Sequence, residues 1–290
     1  MRRIFAFAVG LTLAFDGPLA AQPASGELGF DVPAGYVRHQ KDGIVILAPA
    51  APDEHSCMYG VAGRHGATGP LEAAAEAAVS QVVVPGWSRL DDRHAAMRGV
   101  SPAGWPYAWW RAAFATQANG QRQAVNAMAL VLPAGPNQVH VVWGMGSISR
   151  CLLDDAIFEQ LLQSLRPPGW TSDGGRAFTQ ALSGSWRFNA GSGVGLQQLT
   201  FGPDGRYARD LGTRTHLGVT ERSSATSSGG RFTVRDGELV LVPDQRPGDP
   251  DRYGVRVFEE WMPGGWRRSL TLTDRRTTPP GVTQFSRIEP

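Results

Sequence analysis

The 290-residue chain is 42% hydrophobic and 19% charged, enough apolar side chain for a packed core, which excludes a disordered or low-complexity protein. Its formal net charge of +2 is too balanced for the electrostatic footprint of a nucleic-acid-binding protein. Lys41 is the only lysine among 28 basic residues, and that arginine skew suits surfaces that recognise carboxylates or phosphates.

Met1 to Ala21 has the three parts of a secretory signal: Arg2 and Arg3, an apolar run from Ile4 to Phe15, and the small-residue exit Leu19-Ala20-Ala21. The run is too short to span a bilayer core of roughly 30 Å as a helix, and Asp16 closes it. Position 22 is Gln where a lipid-carrying box needs cysteine, so the mature chain is expected to start near Gln22 with no lipid anchor. The compartment implied is the bacterial periplasm or the medium. Cys57 and Cys151 suit such an oxidising space and are expected to form a disulfide, with two buried free thiols as the alternative.

Length predicts two domains. The first spans 29–168. It opens with a strand, the Pro33-Ala34-Gly35 turn, a short strand, the Lys41-Asp42-Gly43 turn and the strand Ile44-Val45-Ile46-Leu47. Leu71 to Val84 is rich in Ala and Glu, follows Gly69-Pro70 and stops at Pro85-Gly86, which predicts a helix. A meander of Tyr107 to Thr116, Arg122 to Leu132 and Val139 to Trp143 is expected next, turning at Asn119-Gly120 and at Pro133 to Asn137. Ile157, Leu161, Leu162 and Leu165 have helical spacing, so Asp154 to Leu165 should close the domain as an amphipathic helix.

Residues 169–176 form a Gly/Ser/Thr-rich linker to a second domain over 178–290. Its eight candidate strands are Trp186–Asn189, Leu196–Phe201, Tyr207–Leu211, Arg231–Val234, Glu238–Val242, Tyr253–Phe258, Ser269–Thr273 and Thr283–Ile288. Pro203-Asp204-Gly205 and Arg235-Asp236-Gly237 read as tight turns, and Ser223 to Gly230 as a mobile loop. Eight short strands at this spacing predict a small antiparallel barrel or sandwich.

The order of elements in the first domain resembles the Mog1/PsbP-like α/β sandwich. The resemblance rests on Phe30-Asp31-Val32-Pro33-Ala34-Gly35-Tyr36, Asp42-Gly43-Ile44-Val45 and the final helix Phe158 to Leu165. The second domain is similar to small lipocalin-like barrels of bacterial envelope proteins, through Gly184-Ser185-Trp186, Phe201 with Asp204-Gly205-Arg206-Tyr207, and Gly230-Arg231-Phe232 with Asp236-Gly237-Glu238-Leu239. The fold class expected is therefore α+β, an N-terminal sandwich with an antiparallel sheet followed by an all-β barrel. The first resemblance implies a binding or assembly module, the second a cavity for a small apolar ligand.

Catalytic patterns are thin. Gly144-Met145-Gly146-Ser147-Ile148-Ser149 approaches a nucleophile elbow but ends in Ser, which leaves a secreted hydrolase using Ser147 or Ser149 with His140 as an alternative. His55, Cys57 and His65 are the only local cluster of metal-ligand types, without metal-site spacing, so no metal is assigned. Gly191-Ser192-Gly193-Val194-Gly195 precedes a strand rather than a helix, so no nucleotide site is expected and no cofactor is assigned. The pairs Asp91-Asp92, Asp154-Asp155 and Glu259-Glu260 read as solvated surface charge. The reading is a non-catalytic binding or assembly protein. Trp186, Phe201, Tyr207, Phe232 and Trp261 would line a ligand site in the barrel, and Trp109, Trp110 and Arg111 would meet another envelope protein.

Overall fold

The computed structural model describes residues 28–41, 43–52, 56–118, 121–147, 155–169, 175–189, 196–217, 220–235, 237–274, 276 and 281–288. The signal-like segment, the Gly191 to Gly195 run, Cys151 and Ser149 lie outside them. The protein is mostly β, 63% strand against 13% helix, so the helices serve as covers on sheet faces.

The N-terminal half is built from β1 (Tyr36–Lys41), β2 (Ile44–Pro49), β3 (Met58–Gly66), α1 (Leu71–Ala78), β4 (Ser88–Val100), β5 (Pro106–Ala118), β6 (Gln121–Gly135), β7 (Gln138–Ser147) and α2 (Asp155–Ser164). Its sheet runs β1-β2-β3-β7-β6-β5-β4 with every pair antiparallel. Alternation along β5 splits its side chains between two cores. Tyr107 and Trp109 join Leu130, Phe158 and Leu161 on the α2 face. Ala108, Trp110, Ala112 and Phe114 join Ala74, Ala75 and Ala78 on the α1 face. Alanine meets alanine there, so α1 can lie close against β5 and β6.

Two strands of this half were not expected. β3 carries Gly60, Gly63 and Gly66, which weaken a strand pattern, yet Gly60 is required: a Cβ there would run into the Trp143 indole. β4 contains Asp91-Asp92-Arg93-His94, all exposed, where its pairing to β5 shifts between Arg89 and His94. That irregularity erases the two-residue alternation by which a strand is recognised. The predicted Leu71 to Val84 helix is also shorter as an α-helix. It ends at Ala78 and continues as a π-helical turn over Val79–Val83, where four of the six residues from 79 to 84 are the β-branched Val79, Val82, Val83 and Val84.

The C-terminal half begins with α3 (Arg176–Leu182), which takes up the end of the expected linker. Then follow β8 (Gly184–Asn189), β9 (Leu196–Phe201), β10 (Arg206–Leu217), β11 (Thr220–Arg235), β12 (Glu238–Pro243), β13 (Asp251–Met262), β14 (Gly265–Asp274) and β15 (Gly281–Arg287). Each strand pairs with the next, and β15 returns to β8 through Ser286↔Arg187 and Arg287↔Trp186, closing an eight-stranded antiparallel barrel. The Ser223 to Gly230 run, expected as a loop, is part of β11, paired with β10 from Arg206↔Arg231 to Leu217↔Thr220. Ladder hydrogen bonds from the partner strand override the low strand preference of Ser and Gly.

One strand belongs to both halves. β12 pairs with β13 only from Asp251 to Gly254, which frees that edge of β13 beyond Gly254. β4 occupies it, through Val257↔Val100, Phe258↔Gly99, Glu259↔Arg98 and Glu260↔Met97. The fifteen strands therefore form one continuous sheet, with no strand-free gap between the expected domains.

Candidate functional site

The β4–β13 seam carries a charged cluster over an apolar cleft. In register, Arg98 lies opposite Glu259, and Glu259 lies opposite Arg268 on the other side of β13. Arg98 Nε donates to Glu259 Oε2 at 2.7 Å and its Nη1 donates to Glu72 Oε1, from the first turn of α1, at 2.6 Å. Arg268 donates to Glu259 Oε1 from Nε at 3.0 Å and from Nη2 at 2.6 Å. The Arg98 guanidinium also stacks over the Trp266 ring, 4.5 Å from its centroid. Four elements from both halves thus converge on two guanidiniums and two carboxylates. These four side chains also line a cleft of about 290 Å³, together with Leu71, Val100, Tyr107, Ala181, Val257 and Phe258.

Partial burial pushes the Glu259 carboxyl up, but hydrogen bonds from Arg268 and Arg98 outweigh it and hold the group below its ordinary value of 4.5. A depressed folded-state pKa contributes stability that is present above the unfolded value and is lost as pH falls through the folded one. Wild type and Glu259→Gln should therefore differ in urea midpoint at neutral pH and converge as pH falls below about 4.5, the ordinary carboxyl value. A difference that stays constant down to the acid limit would contradict the ion-paired assignment.

The five residues expected to line a barrel ligand are not brought together as a pocket. Trp186, Phe201, Tyr207 and Phe232 are buried with Leu199, Leu241, Leu270 and Phe285, and with Phe178 and Leu182 from α3. They fill the barrel as its core. Trp261, 43% exposed, sits outside it near the β13–β14 tip, edge-on to Trp266 at 5.6 Å. Of the expected partner surface, Trp109 and Trp110 are buried and Arg111 is half-buried. Trp109 packs on Phe158, with the Arg111 guanidinium 5.2 Å above its ring. Trp110 lies on the opposite face, stacked with His94 and overlaid by Arg89.

Ser147 and His140 cannot form a dyad. They stand at opposite ends of β7, seven positions apart, about 23 Å at 3.3 Å per residue and on opposite faces. His140 is buried, and that burial, with the Arg64 guanidinium, holds its ring below its ordinary value. Among the described residues no group of three or more His, Cys, Asp or Glu could hold a metal ion. His65 lies in β3, whereas His55 is outside the described residues. Cys57 is buried at the threshold of β3 and is not a free thiol.

Glu259, read from sequence as surface charge, is a central member of the seam. Its pairing with Arg268 follows from a hairpin turning at Pro263-Gly264, a register legible once Trp261 and Trp266 are seen to flank it. Arg98 and Glu72 had no such local signal. Comparison with protein-family models found no match, and comparison with curated proteins found no relative.

Proposed function

We propose that the chain is a non-catalytic binding or assembly protein of the bacterial envelope, and that its ligand sits at the β4–β13 seam rather than inside the barrel. The observation that carries this reading is the seam cleft, with an apolar floor and a charged rim drawn from both halves. Ligand sites favour such junctions between structural units. The filled barrel supports the shift of site, and the separation of Ser147 from His140 argues against the Ser147 form of the hydrolase alternative, Ser149 lying outside the described residues. Helices packed on both faces of the N-terminal sheet support the Mog1/PsbP-like resemblance, and the closed barrel supports the lipocalin-like one. Export through the 1–21 signal and a Cys57–Cys151 bridge complete the proposal.

Native mass spectrometry of the protein expressed with its own signal tests this reading. The expected spectrum shows the chain from near Gln22 with added mass that is lost on denaturation, and a deficit of about 2 Da against the reduced form for the bridge. A bare chain mass would count against a carried ligand, and a fluorophosphonate-labelled serine would overturn the non-catalytic assignment.

A second reading, a scaffold for another envelope protein, is favoured by Trp261 and Met262, both exposed near the hairpin tip. Capture of an envelope partner that is lost in Trp261→Ala, with the fold intact, would support it.

A further inference from the structure

The hydrogen bonds of the seam are unevenly used. Arg98 donates through Nε and Nη1, and Arg268 through Nε and Nη2. Among the described residues no partner takes Arg98 Nη2 or Arg268 Nη1. Both side chains line the cleft and are 43% exposed, whereas the Glu72 and Glu259 side chains are 21% and 20% exposed. Glu259 has both oxygens engaged, while Glu72 uses only Oε1, leaving Oε2 as the spare acceptor among the described residues. The site thus offers spare N–H donors and one spare acceptor above an apolar floor.

Charge narrows the ligand further. Two guanidiniums and two carboxylates sum to zero, so an ion entering the cleft would lose hydration without meeting a net opposite charge. An uncharged group that accepts and donates at once loses less on desolvation and can meet both kinds of spare valence. An amide has that character. The cleft, about 290 Å³, lies near the lower end of the range of small-molecule sites, roughly 300–1,000 Å³.

Resting on the seam reading above, we propose that the cleft binds an uncharged amphipathic small molecule. Its apolar body lies on Leu71, Val100 and Val257, and its amide-like head meets Arg98, Arg268 and Glu72. The cluster selects against anions although it displays two arginines.

Two fluorescent probes with one aromatic frame test this on the full mature chain. N-phenyl-1-naphthylamine is uncharged, and 1-anilinonaphthalene-8-sulfonate adds a sulfonate. The uncharged probe should bind saturably, one per chain, at least tenfold more tightly than the sulfonate. Ala181→Phe, which fills the cleft from α3, should weaken it tenfold or more. Leu71→Phe fills the cleft from α1 and should do the same should the first variant fold poorly. Phe201→Leu, in the barrel core, should leave it unchanged. Equal or tighter binding of the sulfonate overturns the proposal. If the uncharged probe responds to Phe201→Leu and to neither cleft variant, the ligand lies in the barrel; this inference fails while a binding function stands. If neither probe binds and the exported chain carries no added mass, the binding function falls with it.

Discussion

Replacing Trp186 with alanine is expected to lower the free energy of unfolding by about 3–5 kcal/mol. The indole is fully buried at the start of β8, in the barrel core with Phe178, Leu182 and Phe285. It also joins three elements. Its Nε1 donates to the Leu182 carbonyl of α3 at 2.7 Å, and Arg287 of β15 lies 5.0 Å over its ring. Alanine leaves a cavity that a closed barrel cannot easily collapse, and orphans the buried carbonyl. Trp186→Phe keeps an aromatic ring but not the donor, so part of the loss should be recovered and about 1–3 kcal/mol remain for the unpaired carbonyl. Urea unfolding of both variants checks this; a loss under about 1 kcal/mol for the alanine variant would put the indole outside the core.

Gly99→Ala is the second change with a large expected effect. A Cβ at Gly99 would stand 2.7 Å from the Val257 carbonyl oxygen and 2.8 Å from the Tyr107 hydroxyl. One contact is backbone of the facing strand and the other is the end of a buried ring, so neither can give way cheaply. The methyl group must push β4 from β13, Tyr107 from the cleft, or both. Overpacking of this kind costs about 1–3 kcal/mol. Because Gly99 faces Phe258 across the seam, the damage should be shared by both halves. Calorimetry of wild type should show one cooperative transition; in Gly99→Ala it should move down in temperature and broaden or split. An unchanged transition would mean that the strands are not in this register.

Local pattern carried most of the barrel. Hairpins close over short turns such as Pro203-Asp204-Gly205, and each candidate strand is present because its neighbour in sequence is its partner in space. Alternation also placed Tyr107 and Trp109 together and Trp110 opposite. What it does not show is whether an aromatic strand lies under a helix on one face or on both, so from the sequence Trp109 and Trp110 suit a core and a partner surface alike. The seam was hidden for a different reason. Arg98 and Glu259 are 161 residues apart and meet only because β12 stops short on β13 and leaves an edge for β4. Nothing local in Arg98-Gly99-Val100 announces that vacancy. Of the barrel residues chosen from the sequence, Trp186, Phe201, Tyr207 and Phe232 face inward and Trp261 does not. The error lay in expecting an open interior, since the packing of Phe178 and Leu182 from outside the strand pattern is part of what fills it.

Amide hydrogen exchange on the intact chain addresses the shared strand most directly. If β13 joins both halves, the ladder amides of Met97–Val100 and Val257–Glu260 should be protected to the same degree as those in the centre of β5 and β6. Those of Asp91–Arg93, on the irregular exposed stretch of β4, should exchange rapidly. Fast exchange, at the rate of Asp91–Arg93, of the alternate amides of Met97–Val100 and Val257–Glu260 that point across the seam, with the others still protected by β5 and β14, would show two separate sheets and would remove the seam on which the proposed site depends.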